Sequence, residues 1–155
     1  MKDKRGFTLI ELIVILALAG IVIAVVMSFF IANYRSYQTI NTESELQYQS
    51  QYIINFMTNK ILEAEKFIGE EADEYVFIVG GKKMIFAESD KIAESERYVR
   101  YKLGDDPFEQ IGNYVDKLEI VPESSNGVKI ILKMKKDKSN RETDEQIIYM
   151  RNSRN

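Results

Sequence analysis

An uninterrupted apolar run near the N-terminus constrains this chain more than any other feature of its sequence. From Leu12 to Met27 every residue is apolar or glycine, and Ser28 alone interrupts the continuation to Ala32. A bilayer core about 30 Å thick is crossed by roughly 20 such residues in a helix. The sequence therefore predicts a membrane-spanning helix over residues 7–32, and the rest of the 155 residues suffices for one modest folded domain.

The flank of this run predicts its orientation. Lys2, Lys4 and Arg5 outnumber Asp3 before the apolar residues begin. Because positive flanks stay in the cytoplasm, we expect the N-terminus inside and the C-terminal bulk outside. A secretory signal peptide fits poorly, since the apolar core exceeds the usual 7–15 residues or so and no small-x-small cleavage site follows it.

One carboxylate lies inside the apolar stretch. Glu11 stands one turn into the segment "KRGFTLIELIVILALAG", residues 4–20. An acid at the centre of a span costs about 2.5–3.5 kcal/mol on insertion scales, and less near the interface. A plain single-pass anchor accounts for the length and the flanking charges, and it leaves Glu11 without a role.

The pattern beyond the apolar run predicts an amphipathic helix that continues from the span. Residues 33–68 contain no proline or glycine, and Gly69 is a plausible C-terminal stop. Apolar positions recur at helical spacing between polar residues. These positions are Tyr34, Tyr37, Leu46, Ile53, Met57, Ile61, Ala64 and Ile68.

The sequence of the C-terminal region, residues 69–155, predicts a small antiparallel sheet. Gly80-Gly81 between two apolar runs is a two-residue hairpin signal, and residues 122–127, "PESSNG", favour a turn. The predicted strands are residues 75–79, 82–87, 97–103, 114–121, 128–134 and 146–150, with a charged loop before the last one. No second long helix follows, so residues 33–68 must cover the sheet, which predicts an α+β fold with one globular domain.

Composition excludes several classes of function. The chain has no cysteine and no histidine, which removes disulfides, thiolate metal sites and the commonest general base. We therefore expect no enzyme activity and no cofactor. The net charge of −3 argues against nucleic-acid binding. The five lysines of residues 129–138 are read as a solvated strand edge, where lysine blocks unwanted pairing.

Two acidic groups allow two interpretations each. Asp105 and Asp106, with help from Glu109, have the oxygen ligands of a calcium site, but adjacent aspartates before a proline are also typical turn formers. The same alternatives apply to the acids of the charged loop, Asp137, Glu142, Asp144 and Glu145.

Four tyrosines on the predicted helix also have two interpretations. Tyr34, Tyr37, Tyr48 and Tyr52 could form a binding face. The alternative places Tyr34 and Tyr37 at the membrane interface, where amphipathic rings settle, and packs Tyr48 and Tyr52 under the sheet.

The segment of residues 4–20 resembles the processing signature of type IV pilins and of the related pseudopilins of type II secretion and competence systems. The resemblance implies that a prepilin peptidase removes residues 1–6 by cutting between Gly6 and Phe7, and then N-methylates Phe7. It further implies partners in other pilin subunits, the membrane assembly machinery and lipid. The protein would reside in the inner membrane and then in a pilus or pseudopilus outside the cell.

Within this resemblance Glu11 gains a role. Cleavage leaves a free amine at the positive end of the helix dipole, an unfavourable position that a carboxylate one turn along partly offsets. In a filament the same carboxylate can instead meet the amine of a neighbouring subunit, where low dielectric strengthens the attraction. Glu11 is thereby predicted to set the axial register between subunits.

The resemblance is incomplete in two places. Many pilins carry a proline where this chain has Ser28, and many carry a C-terminal disulfide loop, which a chain without cysteine cannot form. Both departures favour a minor pilin or pseudopilin over a major, shaft-forming one. The alternative is a single-pass membrane protein whose extracytoplasmic domain binds a partner and does not polymerise.

Overall fold

The computed structural model describes residues 8–89, 97–143 and 145–152. These residues form one long helix followed by antiparallel strands, the α+β, pilin-like architecture that the sequence predicts. The elements are α1 (Leu9–Leu62), β1 (Lys66–Glu71), β2 (Glu74–Val79), β3 (Lys82–Glu88), β4 (Tyr98–Leu103), β5 (Glu109–Asn113), β6 (Val115–Ser124), β7 (Gly127–Lys136), β8 (Ser139–Glu142) and β9 (Gln146–Tyr149). The chain divides into two compact units, one ending at Asn41 and one beginning at Thr42.

The first unit is the N-terminal part of α1. Its large apolar side chains are exposed along the helix, and by length and composition this helix is able to cross a membrane. Polar side chains in and next to the apolar run donate hydrogen bonds to the helix itself. The Ser28 hydroxyl bonds the Ala24 carbonyl at 2.8 Å, and the Asn33 amide bonds the Phe29 carbonyl at 2.8 Å. Such internal bonds reduce the cost of placing these polar groups in lipid.

In the second unit, α1 buries one face in a core shared with both sheets. Its buried residues recur every three or four positions: Leu46, Ser50, Ile53, Met57 and Ile61. This spacing is that of one helical face. The core also contains rings from the five-stranded sheet, such as Phe77 and Phe86, and aliphatic side chains from the four-stranded sheet, such as Ile130 and Leu132. The predicted covering of the sheet by the helix is thereby confirmed.

The strands form two sheets instead of the single sheet that we predicted. The first is a meander in the order β1-β2-β3-β4-β5. In the second, β7 pairs with β6 along one edge, and with β8 and β9 one after the other along its other edge. The chain passes from β5 to β6 at Tyr114, whose φ of 62° lies in the left-handed region. Because tyrosine carries no signal for this conformation, the sequence does not reveal the switch between sheets.

The helix ends six residues before the predicted end at Ile68. The backbone turns after Leu62, and Lys66 then pairs with Ile78 as part of β1. Gly69 therefore does not end a helix; it lies where the β1–β2 register shifts, with a φ of 132°. Hairpin pairing with β2 overrides the helical pattern here, and Ile68, which the helical pattern places on the buried stripe, is 44% exposed.

All six predicted strands are present, with ends shifted by up to three residues, and β1, β5 and β8 were not predicted. The apparent turn at residues 122–127 is shorter than expected, because β6 continues through Pro122 to Ser124. β8 lies inside the segment that we interpreted as a charged loop.

The lysine cluster is not a strand edge, so that interpretation is wrong. Its first four members lie on β7, which has neighbours on both sides, and Lys138 follows that strand. Lys129 forms an ion pair with Glu145 at 3.1 Å, and Lys133 with Glu142 at 3.2 Å. Acids on the adjacent chain segment thus neutralise the outward-facing lysines of a central strand.

Candidate functional site

The predicted processing residues lie at the very N-terminus. Gly6 and Phe7 fall outside the described residues, so cleavage between them and methylation of Phe7 stay predictions. Glu11, the residue predicted to pair with a neighbouring subunit in assembly, is in the first turn of α1.

Glu11 forms a capping box with Thr8. The Thr8 backbone N–H donates to Oε2 of Glu11 at 3.3 Å, and the Thr8 hydroxyl donates to the same oxygen at 3.2 Å. In return, the Glu11 N–H donates to the Thr8 hydroxyl oxygen at 3.4 Å. The first helical bond runs from Leu12 N–H to the Thr8 carbonyl at 3.2 Å, which makes Thr8 the N-cap.

This geometry gives Glu11 a local partner in the single chain. The capping box satisfies backbone donors that would otherwise be unpaired at the start of the helix, and the carboxylate lies at the positive end of the helix dipole. Among the described residues no hydrogen bond reaches Oε1 of Glu11, so half of the carboxylate is available to a cation. Thr8 was missed by sequence reasoning, although "TLIE" has the spacing of a capping box.

A second candidate site is an open groove within the second unit. It has a volume of about 530 Å³ and lies between α1 and the edge strand β5. The helix contributes Tyr48, Gln49 and Tyr52, and β5 contributes residues 110–113.

The two tyrosines of the groove do not pack under the sheet, so that prediction is wrong. Tyr48 is 68% exposed and Tyr52 is 49% exposed. Tyr48 follows the buried Leu46 by two residues, and Tyr52 follows the buried Ser50 by two. Two residues of α-helix rotate the side chain by about 200°, which carries both rings away from the core.

Polar contacts fix the helix beside the β5–β6 corner. The Asn113 N–H donates to Oε1 of Gln49 at 3.4 Å, and the Tyr114 hydroxyl donates to Oε1 of Glu45 at 3.0 Å. Lys136 forms an ion pair with the same carboxylate and lies 4.4 Å from the centre of the Tyr114 ring. The hydrogen bond from Lys136 lowers the pKa of Glu45, and the same bond raises the pKa of Lys136.

The acidic residues considered for calcium are dispersed. Asp105 and Asp106 are exposed in the turn after β4, and Glu109 is exposed at the start of β5. Glu142 and Glu145 pair with lysines of β7, and Asp144 lies outside the described residues. Within residues 8–89, 97–143 and 145–152, no group of three or more carboxylates is placed to hold a metal ion.

Comparison with known proteins gives one finding. A family model for the prokaryotic N-terminal methylation motif matches residues 1–27. Comparisons with curated proteins and with solved structures give no match. The matched segment contains Gly6, Phe7, Thr8 and Glu11, together with most of the apolar run, and it is a prepilin-type motif of the kind found in type IV pilins and pseudopilins.

Proposed function

We propose that this chain, whose N-terminus is a type IV pilin-type prepilin motif, is a minor structural subunit of a type IV pilus or pseudopilus. The observation that carries the proposal is the coincidence of the methylation motif with the start of a long, apolar and exposed helix. Proteins with this motif are structural and not enzymatic, and they are substrates of prepilin peptidase. Motif and helix together are consistent with anchoring in the inner membrane.

The processing step follows from the motif. The peptidase cuts between Gly6 and Phe7, discards residues 1–6 as a basic leader, and methylates the new amine. Residues 7–32 then anchor the chain, with the N-terminus on the cytoplasmic side and the sheets outside. Residues 33–68 and 69–155 form the extracytoplasmic part.

Cleavage creates a charge next to the capping box. The new amine belongs to Phe7, which is bonded directly to Thr8, and the N–H of Thr8 is the group that Glu11 already binds. The amine alone at a helix N-terminus is unfavourable, and Glu11 offsets it. Methylation leaves the amine basic, so this compensation persists in the mature chain.

Assembly gives Glu11 a second possible partner. The unused oxygen of its carboxylate can bind the amine of a neighbouring subunit, and in a medium of low dielectric each charge relieves the desolvation penalty of the other. Contacts between the apolar helices hold subunits together but favour no particular axial offset between them. An ion pair at Glu11 specifies a single axial offset. Glu11 thereby sets the axial register of the filament.

The minor role is supported by the course of the helix through the span. α1 runs unbroken through Ser28, the position where many pilins have a proline. An unbroken helix is less ready to melt locally when subunits pack along a shaft. The partners of the subunit decide whether it serves a pilus, a competence filament or a secretion pseudopilus.

Two variants test this proposal in the native cell. Gly6→Leu should leave full-length protein in the membrane, because the peptidase loses the small residue beside the cut. Glu11→Leu should insert at least as well as the wild type, be processed, and be recovered poorly in sheared filaments. Glu43→Leu, at an exposed position further along α1, is the matched control and should assemble normally.

The alternative makes the opposite forecast. A single-pass anchor with a binding domain that does not polymerise would show no filament fraction for the wild type or for any variant. Separately, normal processing of Gly6→Leu would contradict the proposed cleavage site. Undiminished recovery of Glu11→Leu in filaments would refute the register role of Glu11 while leaving processing intact.

A further inference from the structure

We propose that the groove between α1 and β5 binds a neutral oligosaccharide. The groove is defined by Tyr48, Gln49, Tyr52, Gln110, Ile111, Gly112 and Asn113. None of these side chains carries a charge, although 29% of the residues of the chain are charged. Binding at this groove is independent of the proposed assembly.

The aromatic groups offer surfaces on which a sugar ring can stack. The two tyrosines lie one helical turn apart and are largely exposed to solvent. The electron-rich face of an aromatic ring attracts the slightly positive C–H groups that line one face of a pyranose. Phenol rings also combine an apolar body with a polar tip, which suits a ligand that has both kinds of surface.

Tyr52 is held in place by further rings behind it. Its ring lies 6.5 Å from that of Phe56, and Phe56 packs edge-on against Tyr101 with the ring centres 5.2 Å apart. Tyr101 is buried beneath them. A stacking surface supported in this way loses little side-chain entropy when a ligand binds.

The amide groups are arranged to bind hydroxyls. Gln49 uses Oε1 to accept the Asn113 N–H, and Asn113 uses Oδ1 to accept a hydrogen bond from Nε2 of Gln110. Among the described residues, no hydrogen bond uses Nε2 of Gln49, Oε1 of Gln110 or Nδ2 of Asn113. The groove therefore presents both donors and an acceptor, and every sugar hydroxyl is able to act as either partner.

The size and lining of the groove fit this class of ligand. Its volume of about 530 Å³ lies within the range of roughly 300–1,000 Å³ typical of ligand pockets, which leaves room for a short oligosaccharide. Ile111 is buried and Gly112 has no side chain, so neither residue obstructs the groove. Because no charged group lines the groove, an anionic ligand gains no ion pair there.

The test is saturation-transfer NMR on the full chain in phospholipid nanodiscs, which avoids detergents with sugar headgroups. Maltotriose and triacetylchitotriose are the neutral probes, and sialyllactose is the anionic comparison. At least one neutral probe should receive saturation at its ring C–H protons, more strongly than sialyllactose does. Tyr48→Ala and Tyr52→Ala should each weaken its binding about tenfold, as loss of one stacked ring predicts.

A matched control and a competing occupant complete the design. Tyr149→Ala removes a tyrosine that is 56% exposed on β9, outside the groove, and should leave the sugar signal unchanged. Absence of saturation for both neutral probes, or equal signals in the wild type and the Tyr48→Ala/Tyr52→Ala variant, would overturn the proposal. A photo-crosslinking residue at position 48 that joins two copies of the chain, with no sugar signal, would assign the groove to a second copy instead.

Discussion

Gly112→Ala offers a quantitative test of how β5 packs against the helix. A Cβ atom at this position would lie 2.3 Å from Cγ1 and 2.5 Å from Cδ1 of Ile53. Carbon atoms in contact are normally about 3.5–4.0 Å apart, so more than an ångström of displacement is required. Ile53 is fully buried, and Gly112 is itself paired with Val99 of β4, so neither side is free to move.

We expect a free energy of unfolding lower by about 3 kcal/mol, the upper end of the range for overpacked cores. This should reduce the unfolding temperature by about 10 °C for a domain of this size. The assay is thermal unfolding of the full chain in nanodiscs, followed by the near-ultraviolet circular dichroism of its tyrosines. Gly20→Ala is the control, since nothing lies within 4 Å of its added methyl group, and it should leave this transition unchanged.

A double variant separates this clash from other causes. Ile53→Ala alone leaves a cavity and should cost about 2–5 kcal/mol. Adding Gly112→Ala to it should cost much less than the same change in the wild type, because the atoms that obstruct the new methyl group are gone. Strictly additive effects, or a wild-type unfolding temperature for Gly112→Ala, would refute the packing described for β5.

Three further predictions concern caps and titratable groups. Thr8→Val should remove the N-cap, cost about 1 kcal/mol locally, and accelerate amide exchange in the first turn of α1, whereas Thr8→Ser should not. Lys136 lowers the pKa of Glu45, so the Glu45 carboxylate stabilises the fold above about pH 4.5, and this stabilisation is lost on acidification. Glu45→Gln should therefore lower the free energy of unfolding at pH 7 and should match the wild type in acid. Urea unfolding at several pH values checks this. Burial raises the pKa of Tyr75 to about 12, and its hydroxyl donates to the Leu118 carbonyl at 2.9 Å. The free energy of unfolding should therefore fall as the pH rises from 10 to 12, and Tyr75→Phe should make that fall smaller, leaving the part due to lysines with raised pKa values such as Lys136.

Local sequence signals predicted the parts of the fold that depend on neighbouring residues. The hairpin of β2 and β3 closes at Gly80-Gly81, both with positive φ, as a two-residue turn requires. The apolar run predicted the exposed first part of α1, and the spacing of Leu46, Ile53 and Met57 predicted the buried face of its second part. In each case the relevant interactions lie within a few residues of the signal.

The unpredicted strands β5 and β8 carry little strand pattern of their own and are held by pairing with the strand before them. β8, "SNRE", has no apolar residue and is a strand only because β7 lies beside it. β5, "EQIGN", has a single aliphatic side chain, and its place at the sheet edge is set by β4. The groove combines helix residues near position 50 with strand residues near position 111, and nothing in either segment indicates the other.

At the N-terminal site, sequence reasoning missed one contact of Glu11. The sequence indicated that Glu11 needs a positive partner, and this prediction is untested by the single chain. It did not indicate that Thr8 occupies one carboxylate oxygen, which is the contact that α1 makes on its own. One oxygen of the Glu11 carboxylate is thus engaged within the chain, and the other is left for the proposed pair with a neighbouring subunit.

The most direct test of the proposed function is the intact mass of the protein extracted from its native membrane. The proposed processing predicts a chain that begins at Phe7 and carries one additional methyl group. Fragmentation should place that methyl group on the N-terminal residue. A mass that retains Met1 and the rest of residues 1–6 would refute the proposed cleavage, because the amine that is proposed to pair with Glu11 would not exist.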